Sequence, residues 1–136
     1  MSPRLENLVG IGQLKREPPR DDELKGLLVS GRSRLSDAER EDLSFESRFD
    51  LAYNAAQALA LYALRRMGYR PVNRYVVFQV LTETTGLAPA FWRVLAKAHD
   101  KRNRAEYEGY LEPDSRLLEG VIKAARAVAE SLESQA

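Results

Sequence analysis

Apolar residues along this chain recur mainly every three or four positions, which is the repeat of an amphipathic α-helix. No segment alternates apolar and polar residues for long enough to predict a sheet. The clearest helix extends from a candidate N-cap at Ser44 to a stop at Gly68. Many alanines on its apolar face would let a neighbouring helix approach closely. The pattern therefore predicts an all-α fold.

Breaks in the apolar repeat divide the rest of the chain into four further helices, predicted at about 21–41, 75–85, 90–109 and 114–134. In the first of these, Gly31 is expected to weaken the middle. Pro89 suits the first turn of the third, and Asp114 or Ser115 is the candidate cap of the last. Together the helices predict an up-and-down bundle of four main helices with one short extra helix.

Two adjacent prolines, Pro18 and Pro19, mark the start of the predicted bundle, because proline disfavours helix at and before its own position. Residues 1–19 are predicted to be an N-terminal arm and linker. Residues 20–136 are predicted to form the helical bundle.

Composition narrows the possible classes of protein. The 136 residues contain no cysteine, which excludes a disulfide framework, a cysteine-ligated zinc site and a thiol nucleophile. The net charge of +1 gives no overall attraction to nucleic acid or to an anionic membrane. The longest fully apolar stretch, 58–64, is far shorter than the roughly 20 residues of a spanning helix. We therefore predict a cytoplasmic protein with no membrane contact, no metal site and no cofactor.

One predicted helix, 90–109, carries an unusual set of polar residues near its end. Arg102 falls on the stripe that elsewhere faces the core, so its charge must be paired, hydrogen-bonded or near a groove. A guanidinium matches phosphate oxygens, and an asparagine can hold a base edge or a backbone carbonyl. The alternative is a solvated charged surface in which Arg102 pairs with Glu106. The strip comprises His99, Arg102, Asn103, Glu106, Tyr107 and Tyr110, and Arg104 in the same segment is a further candidate binding residue.

A second basic region lies between residues 65 and 75 and contains four arginines, two tyrosines and no acidic residue. Arginine and aromatic side chains together can hold phosphates and stack on bases. Arg70 and Arg74 are therefore candidate binding residues. The alternative is that Arg65 and Arg66 offset the dipole at the end of the long helix, while the others lie on a loop.

The segment around Arg102 resembles the signature helix of HEPN domains, which are small α-helical bundles of prokaryotic toxin–antitoxin modules and other RNA-directed defence systems. That signature is an arginine, an adjacent polar residue that is commonly asparagine, and a histidine after four to six intervening residues. Arg102 and Asn103 match its opening, and Tyr107 stands where the histidine is expected. The resemblance continues through 44–49, 52–56 and 68–70, and it covers about residues 20–135.

The resemblance implies a metal-independent RNase in which Arg102 and Asn103 hold the scissile phosphate and a histidine transfers protons around a 2′-hydroxyl attack. Tyr107 would donate a proton or position the phosphate, because an unperturbed tyrosine has a pKa of about 10 and cannot act as a base near neutral pH. The only histidine, His99, lies one turn before Arg102 and is a second candidate for proton transfer. The alternative is that His99 is a structural residue that bonds a neighbouring helix.

HEPN domains commonly pair, so the resemblance implies a homodimer with Arg102 and Asn103 near the twofold axis. Two functions stay open. The first is an RNA-cleaving protein of toxin–antitoxin type. The second is a catalytically degenerate HEPN module that docks onto a nucleotidyltransferase partner.

Overall fold

The computed structural model describes residues 2–134, and within them the chain is all-α apart from one small sheet. None of the described helices is long and apolar enough to cross a membrane. The elements are, in chain order, α1 Pro3–Gly10, β1 Leu14–Arg16, α2 Asp21–Ala38, α3 Phe45–Arg66, β2 Tyr69–Pro71, α4 Arg74–Gln79, α5 Leu81–Thr85, α6 Pro89–Glu108 and α7 Ser115–Ser134. The predicted ranges extend to residues 1, 135 and 136, which lie outside the described residues.

Side-chain caps fix several of the predicted helix ends. The hydroxyl of Ser44 accepts a hydrogen bond from the Ser47 amide at 3.1 Å, as an N-cap residue does. At the start of α7 the cap is Asp114, whose carboxylate accepts from the Leu117 amide at 3.0 Å. Helix α6 ends at Glu108, and Gly109 follows with a φ of 71°, a conformation that favours glycine. The helix predicted at 75–85 forms two short helices, α4 and α5.

The sheet is a feature that the apolar pattern did not predict. Strands β1 and β2 pair antiparallel, with Leu14 opposite Pro71 and Arg16 opposite Tyr69. Each strand has three residues, which is too short for a period-two pattern to stand out. Strand β1 lies in the predicted arm, and the arm buries Leu5 and Leu14 completely or almost completely in the core. The division at residue 20 stays a prediction, but the arm packs onto the helices.

Helix α3 is the centre of the fold and packs against α2 and α7. It crosses α2 in the antiparallel sense, because Arg48 bonds the Ala38 carbonyl near one end and Arg65 bonds Glu23 near the other. Between these ends Gly31 faces α3 so closely that an added Cβ would lie 2.7 Å from the Leu59 side chain. Gly31 therefore permits close packing of the two helices. Helices α4 and α6 cover the face of α3 that carries the candidate site.

Candidate functional site

The imidazole of His99 on α6 is held between two polar partners. The Tyr53 hydroxyl on α3 lies 2.8 Å from its Nδ1 atom, and the Asn103 amide nitrogen lies 3.1 Å from its Nε2 atom. Each ring nitrogen of His99 therefore has one polar partner. The Tyr75 ring also packs on this imidazole, with 5.4 Å between the ring centroids. These contacts fix the orientation of the ring.

Arg102 lies beside the same tyrosine. Its guanidinium carbon is 4.9 Å from the centroid of the Tyr53 ring, a distance typical of a cation–π contact. Its Nε and one terminal nitrogen both lie 3.3 Å from one carboxylate oxygen of Asp50. The partner of Arg102 is therefore Asp50 rather than Glu106. The Arg102 side chain keeps 30% of its exposure and Asp50 keeps 57%, so water screens the pair and a phosphate can compete for the guanidinium.

Arg74 brings a second cation to this region from the first turn of α4. Asn73 caps that helix by accepting from the Val76 amide at 3.0 Å. One terminal nitrogen of Arg74 lies 3.5 Å from the Asn54 amide oxygen on α3. Burial raises the pKa of Tyr53, while the positive charges of Arg74 and Arg102 act in the opposite direction. The buried phenol is thus flanked by two arginines.

We call this set the His99 cluster, and it gathers residues from three helices. It combines two cations, a titratable ring, an amide and a phenol, which together can bind an anion and exchange protons with it. The negative charge of Glu106 and the carboxylate of Asp50 lie nearby and limit its positive potential. The members of the cluster are Tyr53, Arg74, His99, Arg102 and Asn103.

The other predicted residues of α6 and its end lie apart from these contacts. Tyr107 is 95% exposed and Tyr110 is 63% exposed. Arg104 and Glu106 are also exposed. Glu106 lines a cleft of about 230 Å³ whose other carboxylates are those of Glu46 and Asp50. Arg102 itself lines this acidic cleft, so an anion would reach the guanidinium more favourably from the side of Arg74.

The structure places Arg70 in a different site from Arg74. One terminal nitrogen of Arg70 lies 2.7 Å from the Glu23 carboxylate, and its Nε bonds Glu17. The hydrogen bond from Arg70 holds the pKa of Glu23 below its usual value, burial opposes this, and Arg65 adds to the lowering. Arg70 is therefore engaged by two carboxylates and is not part of the His99 cluster.

Arg65, which the sequence associated only with the helix dipole, is a fully buried structural residue. Its guanidinium donates to the carbonyls of Glu17, Pro18 and Tyr69 at 2.8 to 3.1 Å. Its Nε lies 3.0 Å from the Glu23 carboxylate. These bonds tie the segment before α2 to the end of α3.

Tyr53 is a member of the cluster that the sequence pattern did not single out. The sequence does contain a signal for a polar contact at this position, because polar residues recur along one face of the alanine-rich helix α3. Asp50 and Asn54 on this face both make hydrogen bonds to other helices. Which residues of α4 and α6 would meet that face depends on tertiary packing.

Comparison with protein-family models, with curated proteins and with solved structures gave no match to this chain. In residues 2–134 no group of three or more histidine, aspartate or glutamate side chains is arranged to hold a metal ion. The HEPN resemblance and the roles of individual residues therefore stay predictions from the sequence.

Proposed function

We propose that this protein is an RNA-binding HEPN-type protein of a toxin–antitoxin module that cleaves RNA without a metal ion at the His99 cluster. The observation that carries the proposal is the position of His99, bonded on both sides and one helical turn from Arg102. The helical content and the long central helix are compatible with a HEPN-like bundle. In this proposal His99 takes the role that the family signature gives to the position of Tyr107.

The proposed reaction is attack of an RNA 2′-hydroxyl on the adjacent phosphorus. The new P–O2′ bond forms as the P–O5′ bond breaks, which yields a 2′,3′-cyclic phosphate and a 5′-hydroxyl end. One proton leaves the 2′-oxygen and one reaches the 5′-oxygen. Arg102 binds the phosphate and stabilises its added charge, since a guanidinium offers two parallel donors. Asn103 bonds Nε2 of His99, so it would have to release that nitrogen for His99 to exchange a proton with the RNA.

Proton transfer at two oxygens needs two groups, and one imidazole cannot contact both in the same instant. In the proposed homodimer a twofold axis near Arg102 would bring a second His99 to the same groove. Within one subunit the buried Tyr53 hydroxyl, 2.8 Å from the first His99, would supply a proton only through that ring.

A second function, docking to a nucleotidyltransferase without cleavage, is favoured by one separate observation. Tyr107 and Tyr110 at the end of α6 are large apolar side chains that are 95% and 63% exposed. Exposed tyrosines are enriched in protein interfaces because they combine a flat apolar ring with a hydroxyl. In this alternative the His99 cluster does not cleave RNA, and the partner protein covers the two tyrosines.

The test is cleavage of single-stranded RNA by untagged protein in the presence of EDTA. We expect cyclic-phosphate products from the native chain and at least a hundredfold slower cleavage by Arg102→Ala and His99→Gln. Tyr107→Phe should retain activity, because that hydroxyl projects into solvent. The control is Arg116→Ala, which removes one exposed arginine on α7, away from the cluster.

The single histidine permits a binding measurement that does not depend on turnover. One imidazole Cε1–H resonance is expected in the proton NMR spectrum, and RNA that occupies the cluster should shift it. A shifted resonance without cleavage would favour the docking alternative, with RNA as a ligand only. No shift and no cleavage would exclude the cluster as an RNA site.

A further inference from the structure

The polar face of α3 continues beyond the His99 cluster by one more turn. Asp50, Tyr53, Asn54 and Gln57 are spaced so that they lie along one side of the helix. The first three contact Arg102, His99 and Arg74, respectively. Gln57 is the next polar residue along this side of α3. It lies farther from the proposed phosphate site and faces a separate cleft.

An open cleft lies beside Gln57. Its volume is about 280 Å³, slightly below the roughly 300–1,000 Å³ of sites that hold whole small molecules, so it suits one ring system. Leu61, Pro71 and Val72 give it apolar walls against which a flat ring can pack. The polar lining is Gln57, Asn73 and Arg74.

Gln57 is the feature of this cleft that calls for a ligand. The residue is only 9% exposed, and its amide oxygen is buried without a hydrogen-bond partner in the described part of the chain. A buried acceptor without a partner is unfavourable, and native structures contain few of them. The missing partner of this amide is a donor.

Arg74 connects the cleft with the His99 cluster. It lines the cleft, it lies 3.5 Å from Asn54, and its charge acts on the Tyr53 hydroxyl. A phosphate bound between Arg74 and Arg102 would therefore carry a nucleoside whose base can enter the cleft. The spacing from Tyr53 to Gln57 is one helical turn, about 5 to 6 Å, which is short enough for a single nucleotide to span.

We infer that this cleft is a base-recognition subsite that accepts a nucleobase with an exocyclic amino group beside a ring nitrogen, as in adenine or cytosine. The Gln57 oxygen would accept from the amino group, and its NH2 would donate to the ring nitrogen. Uracil would meet the amide through its ring N–H and a carbonyl instead, so it is the competing base in the test. The inference rests on the proposed function, because it assigns a sequence preference to the RNA bound at the His99 cluster.

The experiment measures binding of uridine hexamers that contain one central adenosine, one central cytidine or one central purine riboside, which is adenosine without its amino group. Fluorescence anisotropy should show the adenosine hexamer binding about five- to tenfold tighter than the purine riboside hexamer, the effect of one hydrogen bond to a buried group. The cytidine hexamer distinguishes the two bases. If the cytidine hexamer binds as tightly as the adenosine hexamer, the amino group alone is recognised. If it binds only as tightly as an all-uridine hexamer, the cleft selects adenine.

The decisive variant is Gln57→Met, which keeps the length of the side chain and removes both hydrogen-bonding groups. It should bind all hexamers equally, and its melting temperature should be unchanged or higher because it removes an unpartnered buried oxygen. Gln79→Met on α4, outside the cleft, is the matched control and should keep the preference.

The outcomes separate the two proposals. If the hexamers bind, lose affinity in Arg102→Ala, and show no preference that depends on Gln57, the subsite is wrong and the proposed function stands. If no hexamer binds, or if Arg102→Ala binds as well as the native chain, the RNA site itself is wrong and the subsite fails with it.

Discussion

The Tyr53 hydroxyl lies 2.8 Å from Nδ1 of His99, although 46 positions separate the two residues in the sequence. Tyr53 is buried on the central helix, and His99 is half-buried on α6. This hydrogen bond joins the core of the protein to the one imidazole that could transfer protons.

Tyr53→Phe should destabilise the fold by about 1 kcal/mol, because it removes a partly buried hydrogen bond and keeps the ring. Urea unfolding at neutral pH measures this difference. Tyr75→Phe is the matched control, since its ring also contacts His99 while the described hydrogen bonds to the imidazole come from Tyr53 and Asn103. Equal stability of the native protein and Tyr53→Phe would contradict the role given to this bond.

Asp50→Asn should strengthen RNA binding about two- to fivefold, because it removes the carboxylate that competes with phosphate for Arg102. Arg102→Ala should act in the opposite direction and reduce the salt dependence of log K by about 0.7, the value for one phosphate contact on a single strand. Anisotropy titrations at several salt concentrations test both. Weaker binding by Asp50→Asn would mean that Asp50 positions Arg102 rather than competing for it.

Two glycines of α2 should respond oppositely to alanine. A Cβ at Gly31 would lie 2.7 Å from Leu59, so Gly31→Ala should destabilise the protein by about 1–3 kcal/mol. A Cβ at Gly26 meets nothing within 4 Å, so Gly26→Ala should stabilise it by about 0.5–1 kcal/mol through helix propensity. Thermal unfolding of the pair checks both signs. Stabilisation by both variants would show that α2 does not approach α3 at Gly31.

Arg65→Met should destabilise the protein by about 3–5 kcal/mol, because it leaves buried carbonyls and the Glu23 carboxylate without their hydrogen-bond donor. Arg65→Lys should not restore stability, since a single ammonium cannot reproduce the forked donors. Arg66→Met, at the next position and only half-buried, is the control and should change stability by less than about 1 kcal/mol. Chemical denaturation measures all three.

The stability of the fold should fall in acid partly through Glu23. The hydrogen bond from Arg70 lowers the folded-state pKa of Glu23, so this carboxylate stabilises the fold above its unfolded pKa of about 4.3. That contribution is lost as the pH falls through the lower, folded-state pKa. The difference in unfolding free energy between the native chain and Glu23→Gln should therefore be constant above about pH 5 and shrink toward pH 3.

Unfolding curves at several pH values measure this difference. Arg70→Met removes the donor and should reduce the same pH-dependent contribution. A difference that stays constant down to pH 3 would contradict the assigned pKa direction.

The sequence predicted the helices because their signals are local. A three- to four-residue apolar repeat, the Ser44 cap and the Gly68 stop are each recognised from residues a few positions apart. The two-stranded sheet escaped prediction because its strands are three residues long and pair across more than fifty positions. Gly31 looked like a weak point in α2 because its purpose, close contact with Leu59, is not visible in a local pattern.

The residues of the candidate site, like the elements of the fold, could be predicted from the sequence only in part. The motif drew attention to His99, Arg102 and Asn103 because they lie on one face of one helix, and a helical repeat fixes that face. Two basic residues of similar sequence context, Arg70 and Arg74, could not be told apart. Packing sends Arg70 to Glu23 and brings Arg74 beside Asn54.

The sequence by itself determined where the helices lie and which of their faces are apolar, since these depend on neighbours within a turn or two. Only the tertiary structure decided that Tyr53 would bond His99 and that Gln57 would keep a buried oxygen without a partner. These relationships depend on the rotation and separation of packed helices. Side chains throughout the core set that geometry together, and no short segment encodes it.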